Sequence, residues 1–121
     1  MTFDLPFPPA KLSPNARVHW AVRSSLVKGY RTACWAITNT VKRRAEPAPD
    51  WPRPLPVQIT FHAPDNRLRD RDNMIAAFKS GADGVADAIG VDDAHWLPTY
   101  HQGDPVKGGK VTVRIGQQGA S

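Results

Sequence analysis

The sequence predicts a small α/β (α+β) domain: a mixed sheet of about four strands, a long N-terminal helix, and a second helix after an acidic turn. Three observations carry this. Short stretches alternate apolar with polar residues, as half-buried strands do. Val27, Tyr30, Cys34, Ile37 and Val41 recur at steps of 3, 4, 3 and 4, one face of a helix. Asp70-Arg71-Asp72-Asn73 then precedes a second helix-like stretch. A length of 121 residues suits one domain, 1–121, with a modest core.

In order, Phe3, Leu5 and Phe7 alternate with Asp4 and Pro6 and predict a short first strand, which Pro6, Pro8 and Pro9 confine to an edge or end early. Residues 11–17 form a loop. Asn15 and Arg17, with His19 and Trp20 close behind, either face a phosphate backbone or make an ordinary polar loop with one anchoring Trp. The long helix is expected from Ser24 to Arg44, with Cys34 a core residue rather than a nucleophile. Lys28, Arg31, Lys42, Arg43 and Arg44 are its charged remainder, a solvated face or a contact for DNA phosphates.

Glu46 to Pro56 holds five prolines and no periodicity, so it reads as a loop. Val57, Ile59 and Phe61 give a half-buried strand running towards the acidic turn. The second helix is expected from about Met74 to Ala88. Gly81 and Gly84 each weaken a helix by about 1 kcal/mol relative to Ala, which predicts a break between them. An unbroken helix instead puts Lys79, Asp83 and Asp87 on one face as an ion-pair ladder. Residues 90–93 form a turn, and His95 to His101 an edge strand interrupted by Pro98. Val111, Val113 and Ile115 give the last strand, and Gln117 to Ser121 a frayed tail.

Sixteen Lys and Arg against eleven acids give a net charge of +5. A small basic protein suggests a polyanionic partner, most often nucleic acid. Yet Asp70, Asp72, Asp83, Asp87, Asp92 and Asp93, six of the ten aspartates, fall between Arg67 and Trp96. Two carboxylates about 4 Å apart repel by roughly 4 kcal/mol at an effective dielectric near 20. A divalent cation offsets that, and an all-oxygen Asp/Asn set suits Mg²⁺ or Mn²⁺ rather than zinc. On an extended segment Asp70 and Asp72 point to one side, with Asp72 or Asn73 capping the helix that follows. The other reading is that these residues are simply caps and turn formers. Arg67, Arg69 and Arg71 either neutralise the carboxylates or contact phosphates beside the metal.

Several classes are set aside. One cysteine allows no internal disulfide and fits a reducing cytoplasm. No apolar run is long enough to span a membrane, and the N-terminus lacks a signal-peptide pattern, so a cytoplasmic protein is expected. The four histidines and single Cys show no zinc spacing. No phosphate-binding GxxxxGK[ST], GxGxxG after a strand, or GxSxG occurs.

Asp70-Arg71-Asp72-Asn73, followed by Lys79, Asp83-Gly84-Val85 and Asp92-Asp93, resembles the RusA family of Holliday junction resolvases, phage and prophage members above all. Leu5-Pro6-Phe7-Pro8-Pro9 with Ser13-Pro14-Asn15 resembles the family's opening, and Lys107-Gly108-Gly109 its end, so the likeness covers nearly the whole chain. The resemblance implies a homodimeric, Mg²⁺-dependent endonuclease, with Mn²⁺ a possible substitute, that cuts four-way DNA junctions. It implies Asp70, Asp72 and Asp93 as metal ligands, Asp92 being an alternative to Asp93, and Lys79 as the catalytic lysine. One departure stands out. The best-known family form has its lysine four residues after the second Asp, where this chain has Ala76; Lys79 is seven after, and keeps the four-residue step to Asp83. The alternatives are a non-catalytic branched-DNA-binding protein and a metal-dependent nuclease of flaps or other branched phage DNA.

Overall fold

The computed structural model describes residues 1–45 and 49–116. It contains β1 (Thr2–Leu5), α1 (Trp20–Arg44), β2 (Leu55–His62), α2 (Arg71–Ile89), β3 (Trp96–Gln102) and β4 (Lys110–Ile115), with single 3₁₀ turns at Ala10–Leu12 and Asp93–His95. The sheet order is β1-β4-β2-β3. β4 runs antiparallel to both β1 and β2, while β2 and β3 are parallel neighbours joined through α2. This is the mixed α+β architecture the periodicities predict.

Register explains why one sheet face is dry. Phe3, Val113 and Ile59 lie in one cross-strand row, and Leu5, Val111 and Phe61 in the next; all six are buried. Tyr30 and Cys34 of α1 and Phe78 and Val85 of α2 join them in a single core, so both helices cover the same face. The opposite face carries rows such as Asp4, Thr112 and Thr60. There Asp4 accepts a 2.7 Å hydrogen bond from Thr112 Oγ1.

The structure corrects several boundaries. β1 ends at Leu5, before the prolines, and excludes Phe7. α1 begins at Trp20, four residues before the expected start, because His19 caps it: His19 Nδ1 accepts from the Ala21 N–H at 3.2 Å. Its buried stripe is Tyr30, Cys34 and Thr38, flanked by Leu26, Ile37 and Val41, and Val27 is 38% exposed. Leu55 and Pro56, expected in the loop, belong to β2. β3 runs unbroken through Pro98, which an edge strand paired on one side only can accommodate. Glu46, Pro47, Ala48 and the expected tail at 117–121 lie outside the described residues.

α2 is also unbroken, so the expected interruption at Gly81 and Gly84 does not occur. These glycines face α1. A Cβ on Gly84 would sit 2.3 Å from the Arg31 carbonyl oxygen and 3.0 Å from the Trp35 nitrogen, both backbone atoms of α1. Close crossing of the two helices requires glycine there. The helix ends at Gly90, whose φ of 74° is the left-handed conformation that glycine adopts without steric cost; its N–H donates to the Ala86 carbonyl.

Cys34 is fully buried, and burial pushes its thiol up to about 11. A thiol reagent at pH 8 is therefore expected to label the folded protein only as fast as it unfolds, and urea to speed labelling sharply. Immediate stoichiometric labelling in native buffer would contradict a core position.

Candidate functional site

β2 delivers the chain into the loop at residues 63–70, which folds on Asp65. Its Oδ1 accepts from the Arg67 N–H at 2.9 Å and from an Arg69 guanidinium nitrogen at 2.8 Å. The Arg69 guanidinium, helped by the Arg67 N–H, holds the Asp65 carboxyl below the usual carboxylate range. Arg69 also donates to the Arg67 carbonyl. It therefore braces the loop from within, whereas the side chains of Arg67 and Arg71 make no hydrogen bond or ion pair among the described residues.

The helix that follows starts earlier than the sequence suggested. Asp70, not Asp72 or Asn73, is the N-cap of α2; its Oδ1 accepts from the N–H groups of Asp72 (2.8 Å) and Asn73 (3.3 Å). Asp72 lies in the first helical turn. The extended, same-side geometry expected for Asp70 and Asp72 is thus replaced by a cap and a first-turn residue. Both remain favourable places for carboxylates, because the unpaired N–H groups of a helix start carry partial positive charge. The Asp72 carboxylate is exposed and has no protein partner among the described residues.

Lys79 lies seven residues after Asp72, two turns or about 10 Å along the axis. Its ammonium bonds Asp83 Oδ1 at 3.1 Å and Asp93 Oδ2 at 2.5 Å. Asp87 leaves the expected ladder and pairs with Arg31 of α1 at 2.7 Å. Asp92 caps the 3₁₀ turn through a bond from the Ala94 N–H, so of the two adjacent acids Asp93 is the one turned to Lys79. Trp96 and Tyr100 of β3, with Phe78, line a pocket of about 150 Å³ beside this pair. Sequence reasoning passed over both residues, since nothing local to β3 marks them. Their shared strand face, two positions either side of Pro98, is the only signal.

The Lys79 hydrogen bond holds the Asp93 carboxyl below its ordinary 3.8. The same bond, chiefly, raises Lys79 above its ordinary 10.5. A depressed acid contributes stability above its ordinary pKa and loses it as pH falls through the depressed value. A raised lysine contributes below its ordinary pKa and loses it as pH rises through the raised value. The pair therefore persists from about pH 4 to about pH 10. The difference in thermal midpoint between wild type and Asp93→Asn is expected to be equal at pH 6 and pH 9 and to shrink below pH 4. A difference that changes between pH 6 and pH 9 would refute this.

Three stretches distant in sequence meet at one groove of about 500 Å³: Phe7, Pro8 and Ser13 from the segment after β1, Asp70 and Asn73 from the start of α2, and Gly108 from the turn before β4. Tyr30 Oη, bonded at 2.6 Å to the Pro6 carbonyl, ties the first stretch to α1. Gly109 brings the third so close that a Cβ there would meet Phe7 Cβ at 2.9 Å and Pro64 Cδ at 3.2 Å. Asn15 and Arg17 are exposed on the loop leading into α1, just past Ser13.

The donor chemistry of Asp70, Asp72 and Asp93, all carboxylate oxygen, fits a hard divalent cation. The side chains are not gathered for one: among the described residues no three His, Cys, Asp or Glu groups come together as a metal site. Two carboxylates stand at the start of α2, and the third is held on Lys79 farther along.

Fold and site together define a two-layer α+β domain with an acidic helix start opening on a groove. No protein-family model matches the sequence. The chain is 40% identical over 122 aligned positions to an uncharacterized protein of Xylella fastidiosa (strain Temecula1 / ATCC 700964), a match spanning 94% of this chain and 74% of that protein. It belongs to that protein's family. No helix among the described residues is long and apolar enough to cross a membrane.

Proposed function

We propose that this protein is a divalent-metal-dependent endonuclease of branched DNA, acting on four-way junctions as a homodimer. The observation that carries the reading is the convergence of the three stretches that resemble RusA-type resolvases, residues 5–15, 70–73 and 107–109, on one groove. Arg67 lines this groove and Arg71 is exposed in the first turn of α2; the side chains of both, with no hydrogen bond or ion pair among the described residues, are available to phosphates.

Asp70, Asp72 and Asp93 are the residues to hold the ion, which when bound supplies Lewis-acid polarisation of the phosphodiester and a more acidic water. Lys79 lends its ammonium to the negative charge that builds up in the transition state. For Asp93 to face the other two acids, its bond to Lys79 must loosen, which leaves the ammonium on Asp83 alone with donors to spare for the phosphate. A junction has approximate two-fold symmetry, and an isologous dimer matches it with two equivalent sites.

The test is a labelled four-way junction incubated with Mg²⁺ and with EDTA. Paired symmetric nicks that need Mg²⁺ are expected. A second reading, a junction-binding protein that does not cut, is favoured by the separation of Asp93 from Asp70 and Asp72 and by Ala76 at the usual lysine position. Tight binding without nicks in either Mg²⁺ or Mn²⁺ would decide for it. In both cases log affinity is expected to fall linearly with log salt, by about 0.9 per phosphate neutralised on duplex arms. Arg71→Ala should reduce that slope by about one; an unchanged slope would remove Arg71 from the interface.

A further inference from the structure

Phosphate hydrolysis does not account for the groove beside the acidic helix start. Phosphates call for cations and polar donors, yet Phe7, Pro8 and Met74 give this groove an apolar wall. Its volume of about 500 Å³ falls within the range of small-molecule sites, about 300–1,000 Å³. The loop at its rim carries a second anomaly. Leu68 is 97% exposed, between Arg67 and Arg69 in sequence. It borders both this groove and a smaller one of about 170 Å³ that shares the loop. The Asp65 bonds to Arg67 and Arg69 fix the loop on either side of it, so Leu68 is displayed rather than folded inward.

A nucleobase has the complementary chemistry: two flat apolar faces, a polar edge, and a phosphate on each side. We propose that the groove receives one unstacked nucleobase of the bound DNA, from the nucleotide next to the phosphate at the acidic turn. Leu68 is the apolar wedge that takes the base's place in the stack, the role such side chains fill where proteins kink DNA. The Asn73 amide, which has no side-chain partner among the described residues, offers the base edge one donor pair and one acceptor. Arg67 and Arg71 meet the flanking phosphates. Branch-point bases suit this best, because unstacking costs least where pairing is already interrupted. The inference rests on the branched-DNA reading above.

The test places 2-aminopurine, whose fluorescence is quenched by stacking, at each position flanking the branch point of a four-way junction. EDTA keeps the DNA uncut, and binding is followed in parallel by gel shift. Wild-type protein is expected to raise fluorescence at one position. Leu68→Ser is expected to lose that rise while still shifting the junction and keeping the wild-type thermal midpoint, since Leu68 is almost wholly in solvent. Binding without a rise at any position would overturn the inference and leave the branched-DNA reading standing. A full rise in Leu68→Ser would overturn the wedge and, with it, this groove as the destination. If wild-type protein does not bind the junction at all, the branched-DNA reading fails and the inference fails with it.

Discussion

Asp72→Asn is expected to abolish junction cleavage while leaving junction binding intact. Asp72 is the clean probe among the acids because its carboxylate makes no bond among the described residues, so its loss breaks none of them and gives up only the helix-start charge interaction, about 0.3–1 kcal/mol. Asp70 is less clean: as the α2 cap, its replacement by Ala adds about 0.5–2 kcal/mol of lost stability to any chemical effect. Asp93 is less clean still, because neutralising it also releases one bond of Lys79. At Asp72 a single charged oxygen is replaced by an amide of the same size, and the helix start keeps its cap. The loss in single-turnover cleavage should be at least about 10²-fold, the scale of removing one electrostatic stabiliser of a transition state. Affinity in EDTA should hold, since removing a negative charge beside DNA cannot add repulsion. Cleavage at the wild-type rate would remove Asp72 from the site. Lost binding together with lost cleavage would make it a binding residue instead.

How much of this was legible in the sequence depends on whether the signal is local. The strands were legible because alternation is a property of a few consecutive residues, and β2 and β4 alternate cleanly. The start of α2 was misplaced because Asp70, Asp72 and Asn73 are all good caps; only the bonds to Asp70 Oδ1 show which one acts. For Arg69 the sequence left neutralising an acid and contacting phosphate both open, and Asp65 decides for the first; Arg31, read as part of a solvated or DNA-facing charged face, is engaged by Asp87, 56 residues away. The four-residue step from Lys79 to Asp83 was readable as a helical pair. Its bond to Asp93 depends on how the 3₁₀ turn after α2 folds back, which no spacing rule gives. The groove was least legible, since its walls come from three stretches that meet only in the folded chain.

Gly84→Ala is expected to be among the most destabilising single-methyl additions in the chain, whereas Gly29→Ala is expected to stabilise it. Both glycines lie inside helices, where Ala is intrinsically preferred by about 1 kcal/mol, so propensity alone gives both changes the same sign. Contacts separate them. A Cβ at Gly29 meets nothing within 4 Å among the described residues, and the propensity gain stands. A Cβ at Gly84 meets the Arg31 oxygen at 2.3 Å and the Trp35 nitrogen at 3.0 Å. Neither is the end of a side chain that can rotate away, so α1 must move as a body. That movement strains the Arg31–Asp87 pair and the bond from Lys42 Nζ to the Ala88 carbonyl, which bridge the same two helices. Overpacking of this kind costs about 1–3 kcal/mol, occasionally more, and the rigidity of both partners argues for the upper end. Gly81→Ala should fall between the two. Its Cβ would lie 2.6 Å from the Tyr30 ring, a side chain, but one anchored by its bond to the Pro6 carbonyl. Thermal or urea unfolding of the three variants should therefore rank Gly29→Ala above wild type, then Gly81→Ala, then Gly84→Ala. If Gly84→Ala unfolds at or above the wild-type midpoint, the helices do not cross as closely as described. The acidic start of α2 and the Lys79 pair, both carried on that helix, would then need to be placed again.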